Sequence, residues 1–127
     1  MHAIQRQLSP WVIATAALGT APAAFAHGDS APRHGGVVQS ANDLSFELVA
    51  RGDEATLYIV DHDKPLPTAG FGGKLSVLLA GVKSDAPLKA TADTLVATGL
   101  RFAPGAKVVA VVTTPQNQTL AVRFTLR

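Results

Sequence analysis

Apolar and polar residues alternate along two neighbouring segments, residues 44–50 and residues 55–60. A period of two is typical of a β-strand that has one buried face. The four residues between the segments, 51–54, include Gly52 and are short enough for a tight turn. The pattern therefore predicts an antiparallel hairpin near the middle of the chain.

Further apolar runs rich in valine, leucine and threonine predict more strands, at residues 37–39, 74–80, 88–92, 94–98, 100–102, 107–114 and 119–127. Turn-forming residues separate them, at residues 40–43, 81–87, 104–105 and 115–118. No segment beyond the N-terminus has the period of a helix. Seven or eight short strands at regular spacing predict an all-β domain, an immunoglobulin-like β-sandwich or a small barrel.

A polar segment, residues 61–73, interrupts this series of strands. It contains two prolines and three glycines, which break regular structure. Its first three residues, Asp61, His62 and Asp63, are therefore predicted to lie on a loop at one rim of the sheet. Loops that are held by a rigid sheet commonly carry binding chemistry.

Residues 1–26 have the three parts of a secretory signal peptide. Arg6 is the basic part, residues 11–19 form an apolar run too short to span a bilayer, and residues 24–26 read Ala-Phe-Ala, a typical cleavage site. A membrane-anchoring N-terminal helix is the alternative, but it needs a longer apolar run or a basic flank after it. The prediction is an exported, periplasmic chain with a polar arm at residues 27–36, one domain at residues 37–127 and no stable membrane insertion.

Composition excludes several classes of function. The chain has no cysteine, and its one methionine leaves with the signal, so thiolate and thioether metal sites are excluded. Loss of Arg6 leaves ten basic and nine acidic residues, a net charge of +1. The basic residues are scattered and aromatic residues are few, so no nucleic-acid interface is expected. No nucleophile or acid–base pair has a recognisable catalytic context, so we predict that the protein is not an enzyme.

The histidines of the mature chain are the residues that could carry chemistry. His34 and His62 lie in turn-like contexts, and Asp61 and Asp63 flank His62. Imidazole nitrogen together with carboxylate oxygen suits Cu(II), Zn(II) or Ni(II), and the general order of affinities favours copper. The alternative role for the two aspartates is turn formation, through hydrogen bonds to nearby amides.

His27 adds a further candidate ligand. Cleavage after residue 26 makes it the first residue, so its α-amine and imidazole can chelate one metal ion, and His34 or His62 can supply a third nitrogen. Cleavage two residues earlier makes it the third residue, where two backbone amides join the amine and the imidazole. The alternative is a terminal histidine without a role. Gly35 and Gly36 are expected to let the backbone turn sharply and bring the arm over the sheet.

Several motifs together resemble a small periplasmic domain. They are residues 34–38 (HGGVV), 46–49 (FELV), 57–65 (LYIVDHDKP), 68–70 (TAG) and 73–77 (GKLSV). The domain occurs at the N-terminal end of some periplasmic adaptor subunits of heavy-metal efflux pumps of the resistance-nodulation-division class, and as stand-alone exported proteins. The resemblance implies handling of copper, zinc, cobalt or nickel, with His34 and His62 at the matching motif positions. The hairpin, lipoyl-like and barrel regions of an adaptor do not follow here.

The expected function is therefore that of a periplasmic protein that binds a divalent transition metal and is accessory to heavy-metal efflux or resistance, with efflux components as partners. The alternative is a metal-free structural or protein-interaction module. In that case the loop of residues 61–73 would dock on a partner through its backbone and Phe71.

Overall fold

The computed structural model describes residues 31–127, so the predicted signal peptide and His27 lie outside the described residues. The described chain consists of β-strands joined by turns and loops, and none of its residues forms a helix that could cross a membrane. The nine strands are β1 (Val37–Ala41), β2 (Leu44–Arg51), β3 (Glu54–Asp61), β4 (Lys64–Pro65), β5 (Gly72–Leu79), β6 (Val82–Thr91), β7 (Thr94–Thr98), β8 (Lys107–Thr113) and β9 (Thr119–Thr125).

The strands form one antiparallel sheet in the order β1-β2-β3-β7-β6-β5-β8-β9, with the short β4 paired to β3. β6 joins the two halves, because its first seven residues pair with β5 and its last three with β7. β1 and β9, at the two ends of the order, approach each other without pairing. The sheet is thus nearly closed into a barrel. This confirms the predicted all-β class of small sandwich or barrel, with nine strands instead of seven or eight.

Alternation along the strands builds the core. In β2 and β3, for example, Phe46, Leu48, Leu57 and Ile59 are at most 2% exposed, while their neighbours in sequence lie on the outer face. Leu75, Val108, Val112 and Phe124 come from the other half of the sheet. Burial of one such side chain stabilises the fold by roughly 1.5–3 kcal/mol. The predicted hairpin is confirmed, and its two-residue turn, Gly52-Asp53, pairs Glu47 with Tyr58.

Two predictions of local structure were wrong. Residues 81–87 were expected to form a turn, but the turn is Ala80-Gly81, both with positive φ, and β6 begins at Val82. Pro87 is tolerated there because that part of β6 pairs on one side only, so its missing N–H need not remove a ladder bond. Residues 100–102 were expected to pair as a strand. They are irregular, and Leu100 is buried in the core while its amide donates to the carbonyl of Asp53.

Candidate functional site

A buried carboxylate lies on the outer face of β2. Glu47 stands between the inward-facing Phe46 and Leu48 and opposite Tyr58 of β3, a position that would normally be open to solvent. It is only 5% exposed, because residues 33–36 cross over it. We call these four residues the docked arm. They are the last part of the predicted polar arm, and they are ordered against the sheet.

The docked arm binds Glu47 through its backbone. The amide of Arg33 donates to Oε1 at 3.0 Å, and the amides of His34 and Gly36 donate to Oε2 at 2.8 Å each. Burial raises the pKa of the carboxyl, but these amides and the His34 side chain lower it by more, so the pKa of Glu47 falls below its ordinary value of 4.5. Glu47 is therefore ionised at neutral pH.

Glu47 also orients the imidazole of His34. Nδ1 of His34 lies 3.0 Å from Oε1, and the ring stacks on Tyr58 with 3.7 Å between centroids and 5° between planes. An ionised carboxylate only accepts hydrogen bonds, so Nδ1 donates, and in the neutral ring the lone pair is on Nε2. Nε2 makes no hydrogen bond to any residue in 31–127, and the side chain is 42% exposed. The hydrogen bond and the stacking thus fix the plane and the tautomer of the ring, and they leave the lone pair of Nε2 available to a ligand.

The two glycines after His34 have different roles in this geometry. Gly35 has a backbone φ of +78°, which residues with a side chain rarely adopt, and it allows the arm to turn toward β1. Gly36 lies against β2: a Cβ there would be 2.3 Å from the carbonyl oxygen of Leu48. The expectation that these glycines bring the arm over the sheet is confirmed.

The other described histidine lies at the tip of a hairpin. His62 and Asp63, with φ of 52° and 69°, join Asp61 of β3 to its cross-strand partner Lys64 of β4. Positive φ at both central residues is typical of a type I′ turn. Nδ1 of His62 lies 2.6 Å from Oδ1 of Asp61, and the histidine side chain is 84% exposed. His62 and Asp63 thus lie on a turn at the rim of the sheet, as predicted. Asp61 was predicted on the same loop, but it is the last residue of β3.

Asp63 does not share the contact between Asp61 and His62; it contacts the docked arm. Its carbonyl oxygen accepts a hydrogen bond of 3.1 Å from the guanidinium of Arg33, and its Oδ1 lies 3.7 Å from the same group. This exposed contact ties the arm to the turn, with a contribution of at most about 1 kcal/mol. Asp61 and Asp63 have separate partners and do not point at one common position.

Among the described residues the predicted ligands do not form one cluster: Asp61 contacts His62, whereas His34 contacts Glu47. His34 lies over Tyr58, which precedes His62 by four residues, or about 13 Å along a strand. In the part of the chain that is described, no three His, Asp or Glu side chains are grouped closely enough to hold a metal ion. His34 and His62 each have their own carboxylate on Nδ1, Glu47 for the first and Asp61 for the second. A surface cavity of about 220 Å³ borders His34 and is also lined by Arg51, Glu54 and Tyr58.

Sequence reasoning missed Glu47 and Tyr58. In the alternating pattern Glu47 is simply an outward-facing polar position, and Tyr58 a strand residue. The hairpin turn at residues 52–53 carried a usable signal, because its register places the two side chains opposite each other on one face. Gly35 and Gly36 predicted that the arm returns over the sheet, but nothing local in the sequence indicates that it covers these two side chains.

The loop of residues 61–73 is held firmly at its centre. Thr68 is fully buried, and its hydroxyl lies 3.0 Å from the carbonyl oxygen of Thr94 and 3.2 Å from that of Ala92. Phe71, the predicted docking side chain, is half-buried and packs against the core. The exposed residues of this loop are His62, Asp63 and Lys64 near its start and Pro65, Pro67, Ala69 and Gly70 after them. Comparisons with protein family models, with curated proteins and with solved structures gave no match for this chain.

Proposed function

We propose that the mature chain is a periplasmic protein that binds a divalent transition metal ion, with His34 as the anchoring ligand, and serves heavy-metal efflux or resistance. Cu(II) is the favoured ion, and Zn(II) or Ni(II) would use the same nitrogen donors. The resemblance of its motifs to the N-terminal domain of efflux adaptors supports the cellular role, and the signal-like residues 1–26 support the location.

One observation carries the proposal. A histidine that ligates a metal generally donates its other ring N–H to a carboxylate or carbonyl, which sets the tautomer and the ring orientation. His34 has this arrangement with Glu47, which is itself bound by three backbone amides. A histidine at the surface can form its hydrogen bonds with water and does not need a buried carboxylate. Burial of the Glu47 charge costs free energy that the three amides must offset, so the arrangement supports a role for the orientation of His34.

Completion of the coordination sphere requires further donors. His62, with Asp61 on its Nδ1, offers a second exposed nitrogen, and His27 precedes the docked arm by a few residues. Few protein ligands and open positions suit transfer or buffering of an ion, since exchange is faster from an incomplete site. The metal would supply no catalysis in this proposal; it is the cargo.

The test is calorimetric titration of the mature protein, beginning at His27, with Cu(II) and with Zn(II). We expect binding at a one-to-one ratio that is weakened at least about tenfold in His34→Ala, since one nitrogen ligand is lost. Tyr58→Phe is the matched control: it keeps the aromatic stack and should bind like the parent. Glu47→Gln should weaken binding without removing the ligand, and thermal unfolding of each variant would show whether it is folded.

Two results would count against the proposal. If the parent binds only at millimolar metal, there is no metal function. If His34→Ala binds as tightly as the parent while His62→Ala does not, the anchor is at the hairpin tip. The first of these results would favour the alternative, a metal-free docking module. The buried hydroxyl of Thr68, which holds the loop of residues 61–73 rigid, is the observation that favours it.

A further inference from the structure

One hairpin turn of the barrel differs in composition from the others. In the described chain, five hairpins are closed by two-residue turns. Four of these turns contain an aspartate: Asn42-Asp43, Gly52-Asp53, His62-Asp63 and Ala92-Asp93. The fifth, Ala80-Gly81 between β5 and β6, has no polar side chain. Ala80 has a φ of 52°, at a turn position where asparagine, aspartate or glycine is preferred, so the alanine there gives no advantage to the fold.

The strand ends beside this turn are apolar and open to solvent. Leu78, near the end of β5, is 47% exposed, and Val82, the first residue of β6, is 65% exposed. The other leucine, isoleucine, valine and phenylalanine side chains of residues 31–127 are buried or half-buried. Single exposed apolar residues are normal on a protein surface, but these two share one hairpin, with Ala80 between them. We call residues 78–82 the apolar tip.

Two lysines flank the apolar tip. The register of the sheet places Leu78 opposite Lys83 of β6 on one side and opposite Lys107 of β8 on the other, so the three side chains lie in one row on the outer face. Both lysines are exposed. Strand direction puts three of the four aspartate turns at the other end of the barrel: Asn42-Asp43, His62-Asp63 and Ala92-Asp93. Gly52-Asp53 shares the end of the apolar tip but lies in the other half of the sheet.

We infer that the apolar tip enters the surface of an anionic phospholipid bilayer. Leu78 and Val82 would lie at the boundary between head groups and acyl chains, and Lys83 and Lys107 at the lipid phosphates. A protruding turn needs no preformed pocket to bury its side chains in a bilayer, and anionic lipid attracts lysines near its surface. Lysine keeps its charged group at a polar interface while its stem lies among apolar groups. The contact is reversible, and it uses none of the proposed metal ligands.

The first test is flotation of the full mature protein with vesicles. Vesicles of mixed phosphatidylglycerol and phosphatidylcholine should bind the protein, and vesicles of phosphatidylcholine alone should bind it less. We expect Leu78→Ser/Val82→Ser to weaken binding to the mixed vesicles about tenfold or more, since buried apolar area is lost. Lys83→Gln/Lys107→Gln should also weaken it about tenfold or more. Lys64→Gln/Lys89→Gln removes the same charge elsewhere in the sheet and should change little.

A pair of variants at Ala80 tests the tip without harming the fold. Asp-Gly and Asn-Gly are both preferred sequences for a type I′ turn, so Ala80→Asp and Ala80→Asn should fold at least as stably as the parent. The two variants differ in one negative charge. Ala80→Asp should therefore bind the mixed vesicles about fivefold more weakly than Ala80→Asn. Equal binding of the two variants would overturn the inference.

A tryptophan reporter separates insertion of the tip from simple charge attraction. The one tryptophan of the sequence, Trp11, lies in the predicted signal peptide, so the mature chain has none. The emission of Leu78→Trp should shift to shorter wavelength on the mixed vesicles. Thr119→Trp, at the other end of the barrel, should show no shift.

The inference is overturned if the parent does not bind the mixed vesicles, or if Leu78→Ser/Val82→Ser binds them like the parent. Binding of Leu78→Trp without a shift in emission would overturn it as well, since charge alone would then hold the protein at the lipid. If the parent fails to bind vesicles but forms a dimer that Leu78→Ser/Val82→Ser abolishes, a second copy of the chain covers the apolar tip instead of lipid.

Discussion

Glu47 illustrates how a residue's role can differ from its place in a pattern. Its side chain is at an outward-facing position of β2, yet it is nearly as buried as the core. The cost of burying its charge is offset by hydrogen bonds from three amides and one imidazole. The same contacts hold His34 over Tyr58. One carboxylate thus determines both the path of the backbone and the orientation of a ring.

The pH dependence of the docked arm follows from this residue. The pKa of Glu47 is lower in the folded chain than its ordinary 4.5, so its ionised form stabilises the docked arm. That stabilisation is complete above about pH 4.5 and is lost as the pH falls through the lowered pKa. We expect the amide proton resonances of Arg33, His34 and Gly36 to titrate together below pH 4.5, measured by NMR.

Glu47→Gln provides the control for this titration. The variant removes the carboxyl group and keeps Arg33, His34 and Gly36, so any change that has another source will persist. A common transition below pH 4.5 that survives in Glu47→Gln would show that the carboxyl of Glu47 is not its source.

At the scale of elements, the docked arm and β2 meet at a backbone contact that admits no side chain. A Cβ on Gly36 would lie 2.3 Å from the carbonyl oxygen of Leu48 and 2.9 Å from Cγ2 of Val49. Gly36→Ala must therefore displace the arm from β2. We expect a loss of about 1–3 kcal/mol in the free energy of unfolding, together with loss of the upfield NMR shifts that stacking on Tyr58 gives the His34 ring.

Gly72→Ala is the matched control for that variant. Gly72 begins β5, and the nearest atom to a Cβ there is 4.0 Å away. Its stability should change by no more than about 0.5 kcal/mol, or rise slightly because alanine has less freedom in the unfolded chain. Equal thermal stability of Gly36→Ala and the parent, with the His34 shifts retained, would contradict the described contact.

At the scale of the whole molecule, one connection must pass from the β3–β4 hairpin to β5, across the end of β6 and β7. Thr68 secures it, because its buried hydroxyl lies within hydrogen-bonding distance of the carbonyl oxygens of Ala92 and Thr94, at the β6–β7 turn. Thr68→Val keeps the shape and removes the hydroxyl. We expect a loss of about 1–3 kcal/mol, measured by denaturant unfolding.

An exposed threonine serves as the comparison for Thr68. Thr119, at the start of β9, lies on the surface, and Thr119→Val should change stability by less than about 0.5 kcal/mol. If the two valine variants unfold at the same denaturant concentration, the hydroxyl of Thr68 does not hold the crossing connection in place.

The sequence by itself determined the local elements of this protein. The period of two in residues 44–60, and the turn residues between strands, predicted the all-β class and the central hairpin, because strand alternation and turn conformation depend on neighbours in the chain. It also predicted the rim position of His62. Where the local signal was ambiguous, at residues 81–87, serine, aspartate and proline suggested a turn, and pairing with β5 made the segment a strand.

Only the tertiary structure decided which surfaces come together. The docked arm covers Glu47 through contacts between residues 11 to 14 positions apart. His34 precedes two glycines and His62 lies between two aspartates, and the two histidines contact different carboxylates, Glu47 and Asp61. β1 and β9 approach each other without pairing, because the order of the strands leaves them at the two ends of a curved sheet. Such contacts depend on how the whole sheet twists and closes, and no short pattern of residues encodes that.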